Sequence, residues 1–330
     1  KKIHSDISLV VAPGSRQVFE MLARNGSLAD LISAGARIAE NACGFCIGNS
    51  LSPETKGVSL RTSNRNFLGR SGTKDAEVYL VSPETAAISA LKGVVTDPRN
   101  AGINYPRVKT PEKFLIDDSM ILNFTGNENT KIFRGPNIGE PPFTKPLPEK
   151  ILGIVAIKVK DNTTTDHIIP AGSRMIYRSN IPKYSDFVFE VLDPSFPARA
   201  KQNKEAGKDN IILAGLSYGQ GSSREHAAIC PMYLGVKAIL AQSIERIHAA
   251  NLINFGILPL TVSKEDYDKC SQGDDLIINN LHEQLKKEEI EVENKSKSFK
   301  FKVKNELTPR QKEIVLAGGM LAYAKQNQEK

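Results

Sequence analysis

The sequence predicts an α/β protein. Apolar runs of strand length, Ile151 to Ile157, Ile211 to Ala214 and Ala238 to Leu240, alternate with loops and helical stretches, the pattern of a sheet layer covered by helices. Helix start signals precede periodic segments, with Ser15 before Arg16, Ser82 before Pro83 and Thr308 before Pro309. Hydrophobic residues make up 40% of the 330 and charged residues 25%, enough to bury a core in a chain long enough for two domains.

Taken in order, Ile7, Leu9 and Val11 alternate as a strand, and Pro13-Gly14 turns the chain. A helix capped by Ser15 should run from Arg16 to Asn25 and end at Gly26, with a second from Leu28 to about Arg37. A polar loop follows, then a short strand from Glu77 to Val81 and a helix opening at Pro83. Between Pro106 and Lys150 periodicity fails, and Pro136, Pro141, Pro142, Pro146 and Pro148 exclude a helix or central strand. Residues 106–150 therefore read as a linker between domains at 1–105 and 151–330. The second domain holds the three apolar runs, a helical stretch from Ser223 onward, and a hairpin marked by Ile290/Val292 and Phe299/Phe301/Val303. One final helix should carry Ile314, Leu316, Leu321 and Tyr323. No internal repeat is present.

Composition excludes several classes. No run approaches the roughly 18 apolar residues of a membrane helix, and the amino-terminal apolar patch is too short and polar-flanked for a signal peptide. Lys1 in place of an initiator Met points to a chain that begins inside a longer protein. A net charge of +7 suits an anionic partner, but the lysines between Lys286 and Lys304 interleave with acids, as on a solvated strand pair. Without Trp or an RNA-binding motif, RNA binding is disfavoured. Four cysteines are too few for a disulfide scaffold, which places the protein in a reducing, cytoplasmic setting.

Three patterns carry chemistry. Cys43-Gly44-Phe45-Cys46 lets two thiols converge on one metal, but zinc and cubane sites want more ligands, and Cys230 and Cys270 have no partner at short spacing. Two reduced thiols in a loop is the bland alternative. Asn64, Arg65 and Arg70 lie on a glycine-containing loop where two guanidinium forks could grip different carboxylates of one polyacid. Gly219-Gln220-Gly221-Ser222-Ser223-Arg224 has the small residues that let backbone amides close round an anion, without the Gly-Lys-Ser/Thr ending of a Walker loop. Asp166-His167 reads equally well as a helix cap beside a satisfied histidine.

Four runs together, Asn41 to Gly48, Ser63 to Arg70, Thr164 to Gly172 and Tyr218 to His226, closely resemble the aconitase superfamily, in the family's order and over most of the chain. Phe45 departs from the proline of many members, and the half that normally precedes these motifs is missing. The resemblance implies the end of an aconitase-type three-layer α/β domain, a linker, and a swivelling β/β/α-type domain. It implies a 4Fe–4S cluster acting as Lewis acid, held by Cys43, Cys46 and a third cysteine outside this chain. Asn64 would approach the cluster, and Arg65, Arg70 and Arg178 would hold carboxylates of a tricarboxylic acid. Ser222 would be the base, with Ser223 and Arg224 around it and Asp166 and His167 brought to the same cleft; His226 and His248 would be structural. The implied reaction interconverts citrate and isocitrate through cis-aconitate, a step of the tricarboxylic acid cycle, with isopropylmalate or homoaconitate isomerisation as the alternative. An aconitase-like RNA-binding regulator is the rival class. Activity would require the amino-terminal half of the same enzyme or a partner subunit, and the isolated fragment should be inactive.

Overall fold

A computed structural model of the chain describes residues 1–328 other than 43, 45, 47, 49, 50, 64–68, 106, 124, 125, 127, 128 and 132. The chain divides into two compact units, Lys1–Glu128 and Asn129–Lys330, and the fold is α/β.

In the first unit, β1 (Val10–Val11) pairs in parallel with β2 (Arg37–Ile38), and β3 (Val58–Arg61) with β4 (Glu77–Leu80). Between β1 and β2 run α1 (Arg16–Arg24) and α2 (Ser27–Ala34), and α3 (Pro83–Lys92) follows β4. The expected caps form: Ser15 Oγ accepts from the Val18 amide and Ser82 Oγ from the Thr85 amide, each at 3.2 Å. Gly26 turns the chain between α1 and α2 at φ +84°, a conformation that favours glycine.

The second unit is built round a closed barrel. Its strands are β5 (Ile151–Val159), β6 (Asp209–Ala214), β7 (Val236–Ala241), β8 (Leu258–Thr261), β9 (Asp275–Ile278), β10 (Glu289–Asn294) and β11 (Phe299–Lys304), in the spatial order β10-β11-β8-β7-β6-β5-β9. β5 to β8 are mutually parallel; β9 closes on β5 and β10 antiparallel, and β11 on β8. A sheet layer was the expectation, and the structure adds its closure into a barrel. β6, β7 and β8 are buried on both faces almost throughout, and such runs lack the polar alternation that marks a solvated side. Ile211 and Leu213 join Ala238, Leu240, Leu276, Val292 and Val303 inside the barrel. Ile212, Ala214, Ile239 and Ala241 face a second core with the covering helices.

Those helices are α4 (Thr165–Ile168), α5 (Ile181–Tyr184), α6 (Phe196–Glu205), α7 (His226–Tyr233) and α8 (Arg246–Asn254), followed by α9 (Lys264–Lys269), α10 (Leu281–Gln284), α11 (Pro309–Ala317) and α12 (Met320–Gln328). The helical stretch expected from Ser223 thus begins at His226. The single terminal helix is two, broken at Gly318-Gly319, where a Cβ on Gly318 would lie 2.4 Å from the Lys145 carbonyl oxygen. The lysine-rich segment is the expected hairpin β10–β11, and Lys300 and Lys302 bond Glu291 and Glu289 at 2.7 and 2.8 Å.

Candidate active site

The parallel strands decide where the chemistry gathers. Val159, Ala214 and Ala241, the last residues of β5, β6 and β7, stand side by side in register, so the loops that follow leave from one edge. In open parallel sheets this carboxyl edge is where ligands bind; here a barrel presents it. The loops are stitched together by their backbones. The Asn162 amide donates to the Leu216 carbonyl at 2.8 Å, Gly219 to Thr163 at 2.8 Å and Thr165 to Gln220 at 2.9 Å. Tyr218 and Glu245 join the third loop, with the Tyr218 amide on the Ser243 carbonyl at 3.0 Å and the Glu245 amide on that of Tyr218 at 2.9 Å.

Onto this frame the structure brings five of the expected residues. Ser222 is half-buried, and its carbonyl accepts from the buried Thr165 Oγ1 at 2.8 Å. Ser223 beside it is exposed. Arg224 reaches back across the junction, and its Nη1 donates to Asp166 Oδ1 at 2.6 Å and to the Ile169 carbonyl at 3.2 Å. The Arg224 side chain is 18% exposed and that of Asp166 52%, so the pair is a partly screened lock between the two loops rather than a buried ion pair. His167 closes a capping box on α4: its amide donates to Thr164 Oγ1, and its Nδ1 accepts from the Thr164 amide at 3.1 Å. That acceptance puts the proton of the neutral ring on Nε2, leaving an N–H donor at the far side of the imidazole. The cap and the functional reading are thus compatible, since one nitrogen serves each.

Arg178 is brought near by another route. Its exposed residue ends a 3-10 turn over Gly172–Tyr177, and its carbonyl is bonded by His226 Nε2 at 2.9 Å. His226 in turn packs on Tyr184 with ring centroids 5.2 Å apart. His226 therefore has the structural role expected of it. Missed by sequence reasoning were Thr165, which ties the two loops, and the Ser217 hydroxyl, which bonds Glu245. The doubled threonine of Thr164-Thr165 was the available signal, because one hydroxyl caps α4 and the next is free to cross-link.

In the first unit Cys46 is 7% exposed, and Arg70 Nη2 lies 3.7 Å from its Sγ. Burial lowers the Arg61 pKa, and the nearby Cys46 sulfur opposes that shift. With a guanidinium beside its buried sulfur, Cys46 fits as one ligand of an iron–sulfur cluster. Cys43, Asn64 and Arg65 lie outside the described residues. No group of three or more His, Cys, Asp or Glu that could hold a metal ion is found among the described residues.

Under the second-unit loops sits His248 on α8, 2% exposed. Burial depresses its pKa from 6.5 to about 4. Between those values the unfolded chain binds a proton that the folded ring refuses, so folding stability is full above pH 6.5 and falls as pH drops towards about 4. The shift corresponds to about 3 kcal/mol. Denaturant midpoints of wild type and His248→Gln at pH 7 and pH 4.5 should diverge, with the wild type losing more; parallel losses would exclude a neutral buried ring.

Comparison with known proteins bears on what these loops serve. Residues 1–93 match the family model described as the aconitase family (aconitate hydratase), and residues 150–265 match the aconitase C-terminal domain. The chain belongs to the aconitase superfamily. Among its aconitase relatives, a probable mitochondrial aconitate hydratase of Dictyostelium discoideum is 30% identical, covering 100% of this chain and 49% of its own. A mitochondrial homocitrate dehydratase of Saccharomyces cerevisiae is 29% identical over 96% of this chain and 47% of its own, and a mitochondrial homoaconitase of Debaryomyces hansenii 30% over 98% and 46%. A solved 3-isopropylmalate dehydratase of Methanocaldococcus jannaschii aligns with a TM-score of 0.45 and 29% identity, covering 55% of this chain and 95% of that one. The chain spans about half the length of the curated aconitase relatives it matches. The cytoplasmic setting expected from cysteine usage is corrected here, because these relatives are mitochondrial by name. A low cysteine count argues against an oxidising compartment without choosing among reducing ones. No helix among the described residues is long and apolar enough to cross a membrane.

Proposed function

We propose that the chain carries part of the machinery of a hydro-lyase that dehydrates a hydroxy polycarboxylic acid and rehydrates it with the hydroxyl moved. The observation that carries this reading is the convergence of Asp166, His167, Ser222 and Arg224 where the loops after β5 and β6 are cross-linked. Ser222 Oγ takes the proton from a carbon adjacent to a carboxylate. A serine oxygen is a weak base in water and needs fixed positive charge and donors beside it; Arg224, locked by Asp166, supplies the charge, and Ser223 a hydroxyl. His167 Nε2–H donates to a substrate oxygen. In the first unit, Asn64, Arg65 and Arg70 are the residues we assign to carboxylate binding, the guanidinium forks two-pronged. A 4Fe–4S cluster, as family members generally bind, supplies Lewis-acid activation of the hydroxyl when bound; Cys43 and Cys46 would hold it with a third cysteine outside this chain.

As substrate we favour a homoaconitate- or isopropylmalate-type acid over citrate and isocitrate. Relatives named for homocitrate and homoaconitate match this chain as well as an aconitate hydratase does. Arg178, the residue meant for a third carboxylate, is exposed and anchored through its carbonyl. Residues 106–150 we read as the linker between the two sets of residues, and the remainder of the enzyme, on the same or a partner polypeptide, as necessary for turnover.

The test is anaerobic reconstitution with iron and sulfide, of this chain alone and mixed with the amino-terminal half. Hydration of cis-aconitate, cis-homoaconitate and isopropylmaleate is then measured. Turnover is expected in the mixture alone, fastest on one of the last two acids. Fastest turnover of cis-aconitate would restore citrate as substrate, and none with any acid would sink the hydro-lyase reading.

A further inference from the structure

Beneath the Gly219 turn lies a set of buried polar groups that the reaction above does not employ. Tyr218 and His248 are 1% and 2% exposed, and they pack edge to face with ring centroids 5.2 Å apart and planes at 60°. Gly219 rests on the imidazole: at φ +83°, a Cβ there would come within 2.2 Å of His248 Cδ2 and 2.3 Å of Cγ. One helical turn along α8, Asn251 is 8% exposed. Among the described residues the Tyr218 hydroxyl, both His248 ring nitrogens and the Asn251 amide nitrogen have no hydrogen-bond partner.

Sequestering polar atoms in this way is unfavourable, and phenylalanine at either ring position would fill similar space without that cost. Polarity kept at such a place has a use. The ring is too deeply buried to exchange protons with solvent, which argues against an acid–base role. It touches the loop that carries Ser222 and Arg224 through Gly219, which argues for control of that loop's geometry.

We propose that His248 is a positioning residue for proton transfer by Ser222: through Gly219, and with Tyr218, it fixes the 218–224 loop, its neutral imidazole exchanging a hydrogen bond with that loop when a polycarboxylate is bound. This rests on the hydro-lyase reading for its kinetic consequence but not for its spectroscopic one. A loop displaced by an ångström loses rate more than affinity, since orientation enters the transition state. The ring's burial and depressed basicity agree with a group that stays uncharged throughout.

The experiment uses the full chain. In the reconstituted mixture, His248→Phe should lower kcat about tenfold or more with KM changed less than about threefold, and His248→Gln, which keeps an uncharged donor and acceptor, should recover part of the loss. His248→Phe turning over like wild type would overturn the proposal. Independently, the imidazole nitrogen resonances of His248 in the wild-type chain are followed on adding tricarballylate, a tricarboxylate without the hydroxyl. A shift of one nitrogen towards the hydrogen-bonded range, with the ring still neutral, is expected; unchanged resonances while the anion binds would overturn it. Absence of turnover by wild type on every acid would count against the hydro-lyase reading alone, leaving the resonance shift to decide the coupling of ring to loop.

Discussion

Ser222→Ala in the reconstituted enzyme should lower kcat by about 10²–10⁴-fold, the range for losing a positioned proton-transfer group. The Ser222 carbonyl, not its side chain, receives the Thr165 hydroxyl at 2.8 Å. The cross-link between the loops therefore survives, and the variant should still unfold in one cooperative transition. KM should change little, since carboxylate binding is assigned to arginines. Steady-state kinetics with a thermal melt of the same sample make the measurement. A kcat within threefold of wild type would remove Ser222 from the base role and leave the loop as an anion cradle only. Thr165→Val supplies the contrast. It leaves Oγ of Ser222 in place but breaks a buried hydrogen bond, so it should weaken both stability and kcat.

How much of this was legible in the sequence depends on the range of the interactions. Caps were readable because they are local: Ser15, Ser82 and Thr308 each bond an amide three residues on. Strands β5, β6, β7, β10 and β11 announced themselves by apolar runs or alternation. Barrel closure did not, because it depends on β9, four residues long, pairing with β5 more than a hundred residues earlier, and short strands with a proline such as β8 carry little pattern. The same division runs through the site. The motif residues could be named from the sequence, whereas their mutual service could not. Arg224 was expected around Ser222, and the structure adds that its Nη1 bonds the Asp166 carboxylate. His167 was split between cap and catalyst, and the geometry assigns its Nδ1 to the cap. The lysines of the terminal hairpin, which might have been read as an RNA surface, include two neutralised across strands by Glu289 and Glu291.

The second large effect should come from Gly219→Ala. Two independent penalties meet at this residue. Its φ of +83° lies in the left-handed region, where a Cβ costs about 1–2 kcal/mol. The added carbon would also stand 2.2 Å from the ring of a fully packed histidine, and overpacking a core costs about 1–3 kcal/mol more. Together they predict a loss of about 3 kcal/mol and a fall in melting temperature of about 6–12 °C, with turnover reduced as the 218–224 loop shifts. Two further variants separate the penalties. His248→Ala alone leaves a cavity and destabilises, yet in the Gly219→Ala background it removes the obstacle. The double variant should therefore be more stable than the sum of the single losses predicts, with a coupling above about 1 kcal/mol. Strict additivity would mean that the alanine methyl avoids the imidazole by moving the loop, and that backbone conformation alone makes glycine necessary. A single variant melting within about 2 °C of wild type would show that neither penalty is felt, and with it would go the account of His248 as the support on which the loop rests.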